Sequence, residues 1–268
     1  MEDWQGKTAV VTGAAGGIGE AIASQAVARG MNVVLADLDT AGLSSVESGL
    51  LKHAASVLSV PTNVGELAEV EALADAAYSR FGSVDLVFNN AGTMTPGSLL
   101  KLPHQDVRRM IDTNLYGTLH GMKVFMPRML ADGAGHVVNT SSLNGLLAYP
   151  AMGVYNGTKA AIISISETVY HELRARQSPL GISVVCPGAV KKEQVAGMVG
   201  GGSKSAADKI SKFREATGIS AAEVADCIFS GLAENKFWIF THHNFHDALA
   251  VRVDAMIGET EPIFELPI

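Results

Sequence analysis

Tyr155 and Lys159 stand four residues apart in the run Tyr-Asn-Gly-Thr-Lys, and Ser142 lies thirteen residues upstream. On a helix an i, i+4 pair shares one face, so this spacing sets an ammonium beside a phenol. A free phenol gives up its proton near pH ~10, too high for a base at neutral pH. A neighbouring cation favours the phenolate and lowers that value. The pair therefore reads as a tuned proton donor and acceptor. Tyr-x-x-x-Lys by itself recurs by chance and equally describes an ordinary helix face, so its weight comes from what surrounds it.

A second chemical signal opens the chain. Thr12-Gly-Ala-Ala-Gly-Gly-Ile-Gly19 falls between a strand-like run and a helix-like one. Gly13, Gly17 and Gly19 let backbone pass close to a pyrophosphate, and the helix start offers free N–H groups and a positive dipole end. The Gly-Lys-Ser/Thr of a nucleoside triphosphate loop is absent. Asp37 follows Gly19 by eighteen residues, at the end of the second strand-like run. A carboxylate there accepts from both ribose hydroxyls of NAD and repels the 2′-phosphate of NADP. Leu38 follows it, with no Arg or Lys beside it. The plain alternatives are a tight turn for the glycines and a strand-end aspartate for Asp37, with Asp39 as its rival.

These residues need elements to position them. Apolar strand-like runs are expected at 7–12, 31–36, 56–60, 84–89, 136–141, 182–186 and 237–240. Helical patterns are expected at 17–29, 41–52, 66–80, 103–130, 153–176 and 221–234, with Pro127 kinking or ending the long one. The alternation predicts an α/β, Rossmann-type doubly wound sheet of about seven mostly parallel strands, with helices on both faces. Ligands of such sheets bind beyond the carboxyl ends of the strands, where Thr12, Asp37, Asn89 and Ser142 fall. No linker or repeat interrupts 1–268, so one domain is expected. The stretch 190–218, with Gly200-Gly-Gly-Ser and scattered Lys, lacks a clear period and reads as a lid; 242–268 reads as a tail.

Composition narrows the class. Of 268 residues, 47% are hydrophobic and 18% charged, a globular balance. The net charge of −7 supplies no basic surface for nucleic acid. Two cysteines, Cys186 and Cys227, give neither a disulfide framework nor a zinc spacing. No apolar run is long enough to span a bilayer, and the first residues lack the form of a signal peptide. The expectation is a cytoplasmic protein with no membrane or nucleic-acid partner.

In order and spacing these motifs resemble the short-chain dehydrogenase/reductase family over about 6–188, and more loosely to about 240. Asn89-Asn-Ala-Gly92 is similar to the family's motif after the fourth strand, and Pro187-Gly188 to its turn beside the nicotinamide. Asn114, Ser142, Tyr155 and Lys159 match its catalytic positions. The resemblance implies that Tyr155 exchanges a proton with the substrate oxygen and Ser142 orients that oxygen. It implies that Lys159 holds the nicotinamide ribose and lowers the Tyr155 pKa, and that Asn114 anchors a water. It implies an NAD site formed by Gly13, Gly16, Gly17, Ile18, Gly19, Asp37, Leu38, Asn63, Val64, Asn90, Ala91, Gly92, Tyr155, Lys159, Pro187, Gly188 and Val190. The expected activity is NAD-dependent interconversion of a secondary alcohol and a ketone. An NADP-dependent carbonyl reductase and a dinucleotide-sensing regulator without turnover are the alternatives. In this family long helices with wide apolar stripes pair across a twofold, so the resemblance implies a homodimer or homotetramer.

Two departures stand out. Asn63 occupies a common Asp slot before Val64, and Lys192 occupies a common Thr slot after Pro187-Gly188. Lys191 or Lys192 either meets an anionic substrate group or is a solvated lid charge. Met94, Ser142, Asn144, Tyr149, Met152, Tyr155 and Met198 are expected around the substrate. The mostly apolar run 143–152 and the three methionines predict a hydrophobic, aromatic or alicyclic substrate, with packing of these side chains under the lid as the plain alternative. The run 236–246 is similar to a bacterial subgroup that includes Cα-dehydrogenases of lignin-type aryl ethers. His242, His243 and His246 in it lack a carboxylate or Cys framework, so a surface tail is expected there and no metal.

Overall fold

The computed structural model describes residues 4–51, 56–191 and 203–264. The described strands are β1 (Thr8–Thr12), β2 (Asn32–Asp37), β3 (Val57–Pro61), β4 (Leu86–Asn89), β5 (His136–Thr140), β6 (Gly181–Cys186) and β7 (Trp238–Phe240). They form one sheet in the order β3-β2-β1-β4-β5-β6-β7, with every pairing parallel. Every residue of β1 is buried. Ala9 and Val11 pack into the core on one face, and Val10 into the core on the other. An unbroken apolar run is what a strand covered on both faces requires.

The helices supply the two covers. On one side lie α1 (Gly17–Ala28), α2 (Thr40–Leu50) and α8 (Ala221–Ala233), whose buried residues include Ile22, Leu43 and Phe229. On the other lie α3 (Leu67–Phe81), α5 (Gly117–Asp132) and α6 (Gly153–Ala175), which bury Leu73, Phe125 and Leu173. β1 hydrogen-bonds to β2 on one side and to β4 on the other, so chain order reverses there. That switch point opens a crevice beyond the carboxyl ends of β1 and β4.

The long helix expected at 103–130 is three segments. α4 (His104–Met110) runs into a π-helical stretch, Ile111–Tyr116, and then into α5. Pro127 does not end α5, which continues to Asp132. The fully buried Phe125 and Met129 anchor it on either side of the proline, and packing outweighs the lost hydrogen bond there. Two further helices correct the sequence reading. α7 (Lys204–Thr217) occupies about half of what read as an aperiodic lid. α9 (His246–Ile257) lies within what read as a surface tail. Phe245 at its start is 1% exposed and packs against Phe240, with ring centroids 4.8 Å apart.

Candidate active site

Thr12, the last residue of β1, joins the two strands at the switch point. Its hydroxyl donates to the Phe88 carbonyl (3.1 Å) and accepts from the amides of Asn90 and Ala91 (3.0 and 3.1 Å). The Asn90 side chain returns a bond to the Thr12 carbonyl at 3.0 Å. The glycine turn lies against this junction. Gly13 has φ +67°, and a Cβ on it would stand 2.8 Å from Ala91 Cα. A Cβ on Gly19 would collide with the Gly13 carbonyl. Glycine is therefore required at both positions. Gly16 caps α1 without a side-chain hydrogen bond, which leaves the first amides of the helix turned to the crevice and open to an anion. Asp37 Oδ2 accepts from the Ala15 amide (3.0 Å) and Oδ1 from the Asp39 amide (3.0 Å). Leu38 is 71% exposed beside it.

Asn63 and Val64 follow β3. Asn63 Oδ1 accepts from the Gly65 amide at 3.1 Å, and the Val64 carbonyl bonds to His120 Nδ1 at 2.9 Å. These bonds hold the loop after β3, which lines the same end of the crevice as Asp37.

At the other end, α6 presents Tyr155 and Lys159 one turn apart. Lys159 is 3% exposed and donates from Nζ to the Thr140 carbonyl at 2.7 Å. Nζ lies 5.7 Å from the centre of the Tyr155 ring. Burial lowers the Lys159 pKa to about 8. Burial also raises the Tyr155 pKa above its ordinary value, while Ser142 and the charge of Arg214 pull it down. The lowering contributions come from those two groups, whereas the sequence reading assigned that effect to Lys159. Ser142 Oγ donates to the Pro187 carbonyl (3.3 Å) and accepts from the Asn144 amide (3.2 Å). Asn144 Nδ2 donates to Asn156 Oδ1 (2.9 Å), and Asn156 Nδ2 to the Tyr149 carbonyl (2.8 Å). This chain of amides braces the loop that carries Ser142, Asn144 and Tyr149.

Asn114 sits in the π-helical stretch and is fully buried. Its side chain accepts from the Thr93 amide (2.7 Å) and donates to the Thr93 carbonyl (3.0 Å) and Thr158 Oγ1 (3.1 Å). A Cβ on Gly92 would stand 3.5 Å from Asn114 Oδ1 and 3.6 Å from Lys159 Nζ, so the three residues meet at the cavity wall, with Asn114 behind the other two. π-helical turns recur at functional sites because the extra residue re-aims a carbonyl.

One cavity of about 370 Å³ connects these ends. Gly13, Gly16, Gly17, Ile18, Asp37, Leu38, Asn63, Val64, Asn90, Ala91, Gly92, Pro187, Gly188 and Val190 line it, as do Met94, Ser142, Asn144, Tyr149, Met152, Tyr155 and Lys159. Gly19 and Asn114 stand behind the wall. Met198 and Lys192 lie outside the described residues. Lys191 is exposed, off the lining, and its charge acts on Glu223. Sequence reasoning missed Ile210, Phe213, Arg214 and Thr217 of α7, and His242 and Asn244 from the presumed tail. His242 Nδ1 accepts from the Gly188 amide at 3.3 Å and bonds to Thr241 Oγ1 at 2.8 Å. The only signal for α7 was its 210, 213, 214, 217 spacing, obscured by the surrounding lysines. Among the described residues, no three His, Cys, Asp or Glu are placed to hold a metal ion. No described helix is long and apolar enough to cross a membrane.

The short chain dehydrogenase family model matches residues 7–199. The chain is 33% identical over 244 residues to the 1-deoxy-11-beta-hydroxypentalenate dehydrogenase of Streptomyces avermitilis, covering 89% of this chain and 85% of that protein. A short-chain dehydrogenase/reductase from Burkholderia phymatum, solved in complex with NAD, superposes with a TM-score of 0.92 at 36% identity and 99% coverage of both chains. LigD from Sphingobium sp. strain SYK-6 superposes with a TM-score of 0.83 at 25% identity, covering 97% of this chain and all of that one. Sheet order, glycine turn and matched sequence agree: the chain is an oxidoreductase of the short-chain dehydrogenase/reductase family.

Proposed function

We propose that the chain is an NAD-dependent dehydrogenase that interconverts a hydrophobic secondary alcohol and its ketone, with Tyr155 as general acid and base. The observation that carries this reading is the shared cavity, with Tyr155, Ser142 and Lys159 at one end and Asp37 and the uncapped start of α1 at the other. The residues fit a dinucleotide. The bare amides of α1 suit a pyrophosphate, the Asp37 carboxylate suits ribose hydroxyls, and exposed Leu38 offers an apolar face to a base. When bound, the nicotinamide accepts a hydride from the alcohol carbon or returns one to the ketone carbon.

The chain's own groups do the rest. Tyr155 takes the hydroxyl proton during oxidation and gives it back during reduction. Ser142 holds the reacting oxygen in line with the phenol. Lys159 grips the ribose and, with Asn114 behind it, links the phenol to solvent. Met94, Leu143, Tyr149, Met152 and Phe213 give the substrate end an apolar lining, which supports a hydrophobic substrate. A homo-oligomer, which the family resemblance implies, belongs to the same proposal. Initial-rate assays with NAD and NADP against aryl and alicyclic secondary alcohols test the reading. NAD reduction with catalytic efficiency above that for NADP is expected. NADH binding with no turnover of any alcohol or ketone would favour a dinucleotide sensor.

A further inference from the structure

We propose that Arg214 forms an anion-binding end of the substrate cavity, fitted to the carboxylate of a hydrophobic hydroxy or oxo acid. This deepens the oxidoreductase reading and rests on it. α7 places Ile210, Phe213, Arg214 and Thr217 in the cavity wall, the spacing of one helical face. Its other face carries the exposed Asp208, Lys209 and Lys212. Arg214 is thus the charged member of an otherwise uncharged inward face.

Both ends of α7 are tied to the site. The Ser203 amide donates to the Pro96 carbonyl at 2.9 Å. Just past its last residue the Ile219 amide donates to the Ala189 carbonyl at 3.1 Å and the Lys191 amide to the Ile219 carbonyl at 3.0 Å, a short parallel bridge to Val190. The guanidinium is therefore carried on a fixed backbone.

The charges of the lining are asymmetric. Its carboxylate, Asp37, is at the adenosine end. Of its two Lys and Arg residues among the described residues, Lys159 donates to the Thr140 carbonyl behind the phenol. Among the described residues, Arg214 is the cation that faces the substrate's own end. Its charge is felt by Tyr155, which puts it near the reacting centre, and burial has stripped part of its water. A cation so placed gains more from an anion than one in bulk solvent. A guanidinium has five N–H donors in a planar fork, so it donates to a carboxylate while keeping a protein contact.

The test is calorimetric binding of decanoate and of decanamide to the enzyme–NADH complex. The wild type is expected to bind decanoate about tenfold more tightly than decanamide, with the difference shrinking as salt is raised. Arg214→Met and Arg214→Gln should each abolish the difference, Arg214→Lys should keep part of it, and Lys209→Met on the outer face should keep all of it. Equal binding of acid and amide by the wild type would overturn the proposal, with no variant needed. So would an acid preference that survives in Arg214→Met. Failure of NADH itself to bind the wild type would instead overturn the cofactor reading beneath it.

Discussion

The carboxylate of Asp37 accepts a hydrogen bond from the amide of Ala15 at 3.0 Å, which fastens the end of β2 to the glycine turn. One side chain thereby shapes the turn and fills the place where a ribose would be read. Removing it should weaken NAD binding and leave a 2′-phosphate unopposed. Asp37→Ala is expected to lower kcat/KM for NAD by about tenfold and to narrow the preference over NADP by at least as much. Steady-state kinetics with both cofactors checks this, and an unchanged ratio would separate Asp37 from cofactor choice.

Asn156 stands next to Tyr155 in sequence but points into the loop opposite, where it holds Asn144 and the Tyr149 carbonyl. Loss of those bonds should loosen the substrate wall more than the proton chemistry. Asn156→Ala is expected to raise KM about fivefold, the effect of one net hydrogen bond, with a smaller change in kcat. Michaelis–Menten analysis at saturating cofactor reads the split. A fall in kcat at constant KM would place Asn156 in the chemical step.

Burial dominates the Tyr155 phenol and raises its pKa, so the hydroxyl keeps its proton across the neutral range. Reduction needs the protonated form and oxidation the phenolate. Ketone reduction should stay level through the neutral range, while alcohol oxidation climbs with pH over the same interval. Arg214→Met removes a charge that favours phenolate, so it should push the oxidation limb further towards alkali. Profiles of kcat/KM in both directions report the result.

A second pH effect lies far from the site. His136 opens β5, and its Nε2 is 2.7 Å from Ser183 Oγ, whose proton goes to the Lys236 carbonyl at 2.6 Å. Nε2 must therefore be the donor, which fixes the neutral tautomer. Burial, with a smaller push from Arg174, lowers the His136 pKa from 6.5 to about 4. Between those values the unfolded chain binds a proton that the folded chain does not, so stability falls as pH drops through this window. The loss is at most ~3 kcal/mol. Denaturant midpoints measured from pH 7 to pH 4 should fall less steeply in His136→Asn than in the wild type.

The strands and the motif residues were legible in the sequence for one reason. Runs such as Ala9-Val10-Val11 are apolar on both faces, as a covered parallel strand demands, and Gly13, Asp37, Ser142 and Tyr155 punctuate their ends. The π-helical stretch around Asn114 was not legible, because no residue type marks an extra residue in a turn. α9 was missed because its buried side is little more than Ala248 and Ala255, too slight for a helical stripe. α7 was missed because Ile210 and Phe213 are set among lysines, and Arg214 beside them reads as one more surface charge. His242 read as tail, yet it braces the Gly188 turn through tertiary contact alone.

The central claim is that Tyr155 moves the proton in a site whose cofactor end stands apart from it. Tyr155→Phe keeps the ring and removes the hydroxyl. NADH titration by fluorescence, paired with alcohol oxidation rates on the same preparation, tests the claim most directly. The account predicts an NADH affinity within about twofold of the wild type and a fall in kcat of about a thousandfold. Turnover close to that of the wild type in the phenylalanine variant would contradict it.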